Sequence, residues 1–197
     1  RNVFSEENIR LALTQFKAKI KFKKCNQYLP TKIAKDIKKD KIVAIFSGRS
    51  EWGPRSLGHR SILANPTKKD NWEKVNKLKK REQWRPFAPA CLETDLNKYF
   101  EVPFKSKLMW FMLLNLNVKS SLIPAVTHVD KTARVQSVKK ESGTLFEILN
   151  ELKKISGLPI VLNTSFNSKA EPIIETPQEA IIFLLNSELD ILYIEDY

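Results

Sequence analysis

Residues 41–66, KIVAIFSGRSEWGPRSLGHRSILANP, decide how this chain is read. KIVAIF is an unbroken apolar run of strand length, and it predicts a buried β-strand. It runs straight into Ser47-Gly48, so the segment that follows is a loop at the C-terminal end of a strand. Open α/β sheets place ligands there. The loop holds Arg49, Arg55 and Arg60 and no lysine, although lysine far outnumbers arginine in the chain. A guanidinium is a planar fork that matches phosphate oxygens and stays charged when desolvated. Gly48, Gly53 and Gly58 let backbone approach a ligand closely, and Pro54 stiffens the loop. The segment reads either as a phosphate cradle or as a surface turn with ion-paired arginines.

Working outward, strands and helices alternate. Residues 5–16 predict a helix capped by Ser5. Ala18, Ile20 and Phe22 alternate with Lys19, Lys21 and Lys23, a half-buried strand pattern. Residues 31–39 predict a short helix, 57–63 a strand, and 69–80 a helix with Trp72, Val75 and Leu78 on one side. FAPACL (87–92), KLMWFMLLNLNV (107–118) and ARVQSV (133–138) predict strands, the second of them central. Residues 144–155 predict a helix ended by Gly157. LPIVLN (158–163) predicts a strand. Thr176-Pro177-Gln178-Glu179 is a capping box opening a helix to about Leu185, and ILYI (191–194) closes the chain as a strand. This pattern predicts an α/β fold with a largely open, twisted sheet.

The 197 residues fit one large domain, with 42% hydrophobic residues to build a core. A net charge of +12 favours partners that carry phosphate. Cys25 and Cys91 lie far apart and form no metal motif, which fits a reducing cytoplasm. His59 and His128 are the two histidines, too few for a self-contained zinc site. The longest apolar run, Leu108 to Leu114, is too short to span a bilayer. The chain begins at arginine without a signal-peptide pattern, as an excised domain would.

Three further segments carry candidate ligand groups. Lys79, Lys80 and Arg81 fall at a predicted helix end, where cations complement the dipole. Arg85 lies between Trp84 and Pro86, where burial against an anion or a carboxylate is expected. In THVDKTARVQ (127–136), His128 and Asp130 fit a hydrogen-bonding loop better than a metal site, while Arg134 and Gln136 share one strand face. In LNTSFNS (162–168), Asn163, Ser165 and Asn167 alternate, as either ligand-orienting groups or an Asx turn. There is no serine–histidine–acid triad, no paired carboxylates and no Walker-type motif. Arginines, a lysine and amides suffice for phosphoryl or nucleotidyl transfer, where catalysis is positioning and charge stabilisation.

These segments resemble the C-terminal domain of the carbamoyltransferase (NodU/CmcH) family. The blocks are GRSEWGPRSLGHRSILANP, KLKKREQWRPFAPA, IPAVTHVDKTARVQ, GLPIVLNTSFNSKAEPI and TPQEA, in order. The resemblance implies a YrdC-like twisted open mixed sheet with flanking helices, with residues 1–40 as lead-in and 41–197 as the family domain. It implies a domain that binds ATP, with Mg²⁺, and carbamoyl phosphate. Carbamoyl-adenylate forms there, and a separate N-terminal metal-binding domain passes the carbamoyl group to an acceptor hydroxyl. Carried over residue by residue, Lys79, Arg85 and Arg134 are catalytic. Arg55, Arg60, Asn163 and Ser165 bind substrate or nucleotide, with Arg49, Arg81, His128 and Asn167 in the same motifs. Lys169-Ala170 departs from the family's more frequent arginine–glycine, which implies a stiffer turn. An RNA-binding YrdC-like module is the alternative, and a domain that only docks to its N-terminal partner is a third reading.

Overall fold

A computed structural model describes residues 4–51, 56–103 and 113–197. In chain order the elements are α1 (Glu6–Gln15), α2 (Leu29–Lys38), β1 (Val43–Phe46), β2 (Arg60–Ala64), α3 (Asp70–Leu78), β3 (Ala88–Leu92), α4 (Leu96–Tyr99), β4 (Leu113–Asn117), β5 (Thr132–Val138), α5 (Thr144–Ser156), β6 (Ile160–Ser165), α6 (Pro177–Leu185) and β7 (Ile191–Ile194). The strands form one mixed sheet in the order β4-β5-β3-β6-β2-β1-β7. The β1/β7 and β3/β5 pairs are parallel, and the other pairs are antiparallel.

Alternation along each strand divides the core into two layers. Ala44, Phe46, Ile62, Cys91, Ala133, Val135 and Leu162 belong to one layer, which α1, α3 and α6 cover with Ile9, Leu13, Val75, Leu78, Ile181 and Phe183. Val43, Ile45, Leu63, Ala90, Val138 and Val161 belong to the other, covered by Ile33 and Ile37 of α2 and Leu145, Ile148, Leu149 and Leu152 of α5. Each fully buried aliphatic side chain contributes about 1.5–3 kcal/mol. The lead-in helices α1 and α2 thus bury their apolar faces in the same two layers as the rest.

Local chemistry sets the helix ends. The Ser5 hydroxyl accepts the Asn8 N–H at 3.2 Å and starts α1. At α6, the Thr176 hydroxyl accepts the Glu179 N–H at 3.2 Å and Glu179 accepts the Thr176 N–H at 3.1 Å, with Pro177 at the first helical position. Gly157 ends α5 in the left-handed region at φ 74°.

Three expectations change. No strand forms over residues 18–23, because turns leaving α1 occupy residues 16–19: the Lys19 and Ile20 N–H groups both donate to the Phe16 carbonyl. The strand expected over 57–63 starts at Arg60, because Gly58 (φ 112°) turns the chain against the start of α5. A Cβ at position 58 would lie 2.8 Å from the Leu145 Cβ, so only glycine allows that approach. Of the stretch 107–118, residues 107–112 lie outside the described residues. The β4 strand that follows is an edge strand paired with β5, and the sheet centres on β6. Among the described residues, no helix is long and apolar enough to cross a membrane.

Leu149 lies in the α2/α5 layer with 0% exposure. Leu149→Ala is expected to lower unfolding free energy by about 2–5 kcal/mol, read from the urea midpoint at unchanged slope.

Candidate anion-binding site

The face covered by α2 and α5 is apolar at one end and polar at the other. Along β5 it reads Val138, Gln136, Arg134. Along β6 it reads Val161, Asn163, Ser165. The register sets Gln136 and Val161 on either side of Ala90, and Asn163 beside Ala88. Helix cover therefore ends where the polar side chains begin. A hollow of about 100 Å³ lies there, lined by Ser56, Arg81, Phe87, Arg134, Gln136 and Asn163, with Ser165 at its margin.

Its floor is a buried network of neutral groups. The Gln136 and Asn163 side-chain amides each donate to the Ser56 carbonyl at 3.0 Å. Asn163 Nδ2 also donates to Gln136 Oε1 at 2.7 Å, and the Ser56 hydroxyl donates to Asn163 Oδ1 at 3.2 Å. Each member finds a partner, as buried polar groups must. The network ties the strand floor to Ser56, the residue directly after Arg55 in sequence.

The walls are cationic. Arg81 Nε donates to Asn76 Oδ1 at 2.7 Å, and its guanidinium lies 4.3 Å from the Phe87 ring centroid. Burial, then the charges of Arg85 and Arg134, push the Arg81 pKa down to about 10, with Glu82 opposing. The Arg134 side chain makes no hydrogen bond or ion pair among the described residues, and its Nε is buried without a partner. His128 Nε2 is likewise buried and unpartnered. Burial and Arg134 lower its pKa, so the imidazole is neutral at pH 7. Two guanidinium groups face a hollow that no carboxylate lines. An anion is the group that would relieve both the burial and the repulsion.

Lys79 stands behind this site. It follows α3, and its side chain reaches the 165–167 loop. Nζ donates to the Ser165 carbonyl, to the Asn167 carbonyl at 2.7 Å and to Asn167 Oδ1 at 2.9 Å. Three acceptors surround Nζ, so Lys79 positions the loop and does not line the hollow. The Ser165 hydroxyl donates to the same Asn167 Oδ1 at 2.7 Å. Beyond it, Ala170 sits in the left-handed region at φ 61°.

The other sequence candidates lie elsewhere. Arg60 is completely buried on the opposite face of the sheet, stacked 3.6 Å from the Phe46 ring centroid. Its Nη1 donates to the Ser47 and His59 carbonyls at 2.7 and 3.0 Å, and Nη2 donates to Gly48 O at 3.2 Å. It therefore anchors the loop from behind. Arg49 is exposed, and Arg55 lies outside the described residues. Arg85 is exposed rather than buried, because Glu82, three residues before it, supplies a counter-ion at 2.7 Å on the surface. The 127–132 segment is a hydrogen-bonded turn in which Asp130 Oδ1 accepts the Thr132 N–H at 2.9 Å. Among the described residues, no group of three or more His, Cys, Asp or Glu could hold a metal ion.

Sequence reasoning passed over Ser56, Asn76 and Glu51. Glu51 is the only carboxylate in the 46–66 segment, and that isolation was the available signal. Its oxygens accept the His59 and Arg60 N–H groups at 3.1 and 3.0 Å.

Two expected outcomes test this local arrangement. Burial, then Arg81, lower the Lys79 pKa to about 7. Between pH 7 and about 10.4, the ordinary lysine pKa, the unfolded chain holds the proton and the folded chain does not. Stability therefore rises with pH in that window, by at most about 1.4 kcal/mol per pH unit. Urea unfolding of Lys79→Met should lose that rise, and parallel pH profiles would contradict the assignment. Ala170→Gly should raise stability by about 1 kcal/mol, because glycine adopts the left-handed region without the Cβ cost.

A family model for the carbamoyltransferase C-terminus matches residues 34–197. Nodulation protein NolO of Bradyrhizobium diazoefficiens is 44% identical over 154 residues, covering 76% of this chain and 28% of that protein. Nodulation protein NolNO of Sinorhizobium fredii is 38% identical over 198 residues, covering 98% and 29%. A 3'-hydroxymethylcephem-O-carbamoyltransferase from Amycolatopsis lactamdurans is 37% identical over 146 residues, covering 73% and 27%. The chain thus spans about three-tenths of the length of these curated relatives. Full-length HypF in its phosphate- and nucleotide-bound form superimposes with a TM-score of 0.64 over 87% of this chain and 25% of HypF, at 20% identity. P. abyssi Sua5 complexed with L-threonine gives 0.58 over 84% and 46%, at 15% identity. These two establish the fold, a YrdC-like mixed sheet with flanking helices. With the family model spanning most of its length and the arginine-walled hollow at the polar end of that sheet, the chain belongs to the carbamoyltransferase C-terminal family.

Proposed function

We propose that this domain binds ATP and carbamoyl phosphate and forms carbamoyl-adenylate. The observation that carries the reading is the pair Arg81 and Arg134, neither of which makes an ion pair among the described residues, beside a small half-open hollow with a neutral amide floor. A hollow of about 100 Å³ suits the carbamoyl end of the substrates and is too small for a nucleotide. Arg134 and Arg81 would neutralise the carbamate oxygen as it approaches phosphorus. The Ser56, Gln136 and Asn163 network would hold the planar carbamoyl group in orientation, and Lys79 would keep the 165–167 loop in place.

Atom balance fixes the sequence of events. The adenylate contains one phosphate, which comes from ATP, so the phosphate of carbamoyl phosphate must leave. Water takes it as inorganic phosphate, the freed carbamate oxygen attacks the α-phosphorus, and pyrophosphate departs. Mg²⁺ would travel with the ATP phosphates, since the described side chains supply no cluster to hold it. Transfer to the acceptor hydroxyl would fall to the part of the longer relatives that this chain does not span.

The test is release of pyrophosphate and inorganic phosphate from ATP and carbamoyl phosphate. Removing one preorganised charge contact costs about 10²–10³ in kcat, so Arg134→Ala should lose that much pyrophosphate release at unchanged urea stability. Absence of release together with absence of ATP binding by calorimetry would overturn the reading, as would an Arg134→Ala variant as active as its parent.

A further inference from the structure

Strand β7 is an edge of the sheet, paired with β1 alone. The alternating segment 18–23 would have supplied an eighth strand. Instead, residues 21–27 arch past β7 as a strap with a single backbone hydrogen bond among the described residues, Cys25 N–H to the Asp196 carbonyl at 2.6 Å. The unmade pairing leaves a cavity of about 520 Å³ between strap and sheet. Its walls include Leu13, Ile20, Ile181, Leu184 and Leu192, and its lip carries Lys21, Lys23, Lys24 and Lys32. Lys24 pairs with Glu6 at 2.8 Å and Lys32 pairs with Asp36. Lys21 and Lys23 are exposed and have no counter-ion among the described residues. The surrounding sequence deepens the asymmetry, since residues 17–41 hold ten lysines against two aspartates.

We propose that this cavity binds an amphipathic monoanion, an aliphatic chain ending in a carboxylate. The aliphatic chain lies among the half-buried Ile20, Leu184, Ile191 and Leu192, and the carboxylate meets Lys21 and Lys23 at the lip. The volume falls within the range of small-molecule sites, about 300–1,000 Å³, and the mix of apolar wall and few polar groups is the usual one. Nucleic acid fits less well, because bases stack on open aromatic faces, whereas Phe22 and Tyr197 pack edge to face on each other and Tyr193 is buried with its hydroxyl donating to Asp36. Lysines often guard a sheet edge against other strands, but a guard needs no apolar hollow beneath it.

The probe is monomeric laurate, titrated calorimetrically below its micelle concentration. Dodecyltrimethylammonium serves as the control with reversed head charge, and anionic phosphatidylglycerol vesicles as the membrane arm. Saturable one-to-one binding of laurate is expected, at least about tenfold tighter than the cation. Lys21→Glu combined with Lys23→Glu should weaken laurate about tenfold, and Leu184→Asp should abolish saturation. The two lysines are on the surface, so that variant tests the site without burdening the fold. The proposal fails if laurate does not saturate, if the cation binds equally, or if the lysine exchange changes nothing. Binding to vesicles without binding to monomeric laurate would also overturn it, by assigning the lysines to a membrane surface. None of these readouts depends on pyrophosphate release.

Discussion

The convergence of Arg81 and Arg134 on one hollow that no carboxylate lines is the constraint on which the site depends. Each guanidinium is partly withdrawn from water, and the effect on Arg81 is large enough to bring its pKa to about 10. Proteins rarely set two half-buried like charges side by side without a carboxylate between them. Here the neighbouring groups are amides and a hydroxyl, which orient a ligand without neutralising the site. Half-buried like charges beside neutral amides are an arrangement that an anion would complete.

Holding those charges in place depends on the end of α3. Lys80 adopts φ 52°, in the left-handed region, so the chain reverses immediately after the helix. The Arg81 N–H then reaches back to the Asn76 carbonyl at 3.1 Å, and the Asn76 side chain accepts from Arg81 Nε. Asn76 also donates to the Arg85 carbonyl at 3.0 Å, as does the Trp72 indole at 2.7 Å. One buried asparagine thereby fixes both the entry and the exit of the arginine turn. On the far side of the sheet, Arg60 performs the corresponding service for Ser47 and Gly48, with its guanidinium packed on Phe46.

Much of this was legible in the sequence, and the remainder has identifiable physical reasons. KIVAIF, FAPACL, ARVQSV and LPIVLN carried their strands in composition alone, and Gly157 and the Thr176–Glu179 box marked helix ends by local chemistry. Arg134 was visible because alternation put it beside Gln136. Arg60 could not be sorted from a phosphate ligand, because a buried arginine satisfied by backbone carbonyls has no signature outside the fold. The same holds for Lys79, whose commitment to Ser165 and Asn167 joins residues 86 to 88 positions apart. Residues 18–23 carried a genuine strand pattern that the turns leaving α1 pre-empted. Ala170 reads in the sequence as an ordinary loop residue, and its left-handed backbone, φ 61°, is a property of the folded turn.

The central claim is that an anion occupies the hollow between Arg81 and Arg134. A crystal structure of the chain grown with carbamoyl phosphate addresses it most directly. The account predicts density for a planar carbamoyl or carbamate group against the Gln136–Asn163 floor, with the Arg134 guanidinium turned onto its oxygen. An empty hollow, with the anion bound instead at an unrelated surface, would contradict it.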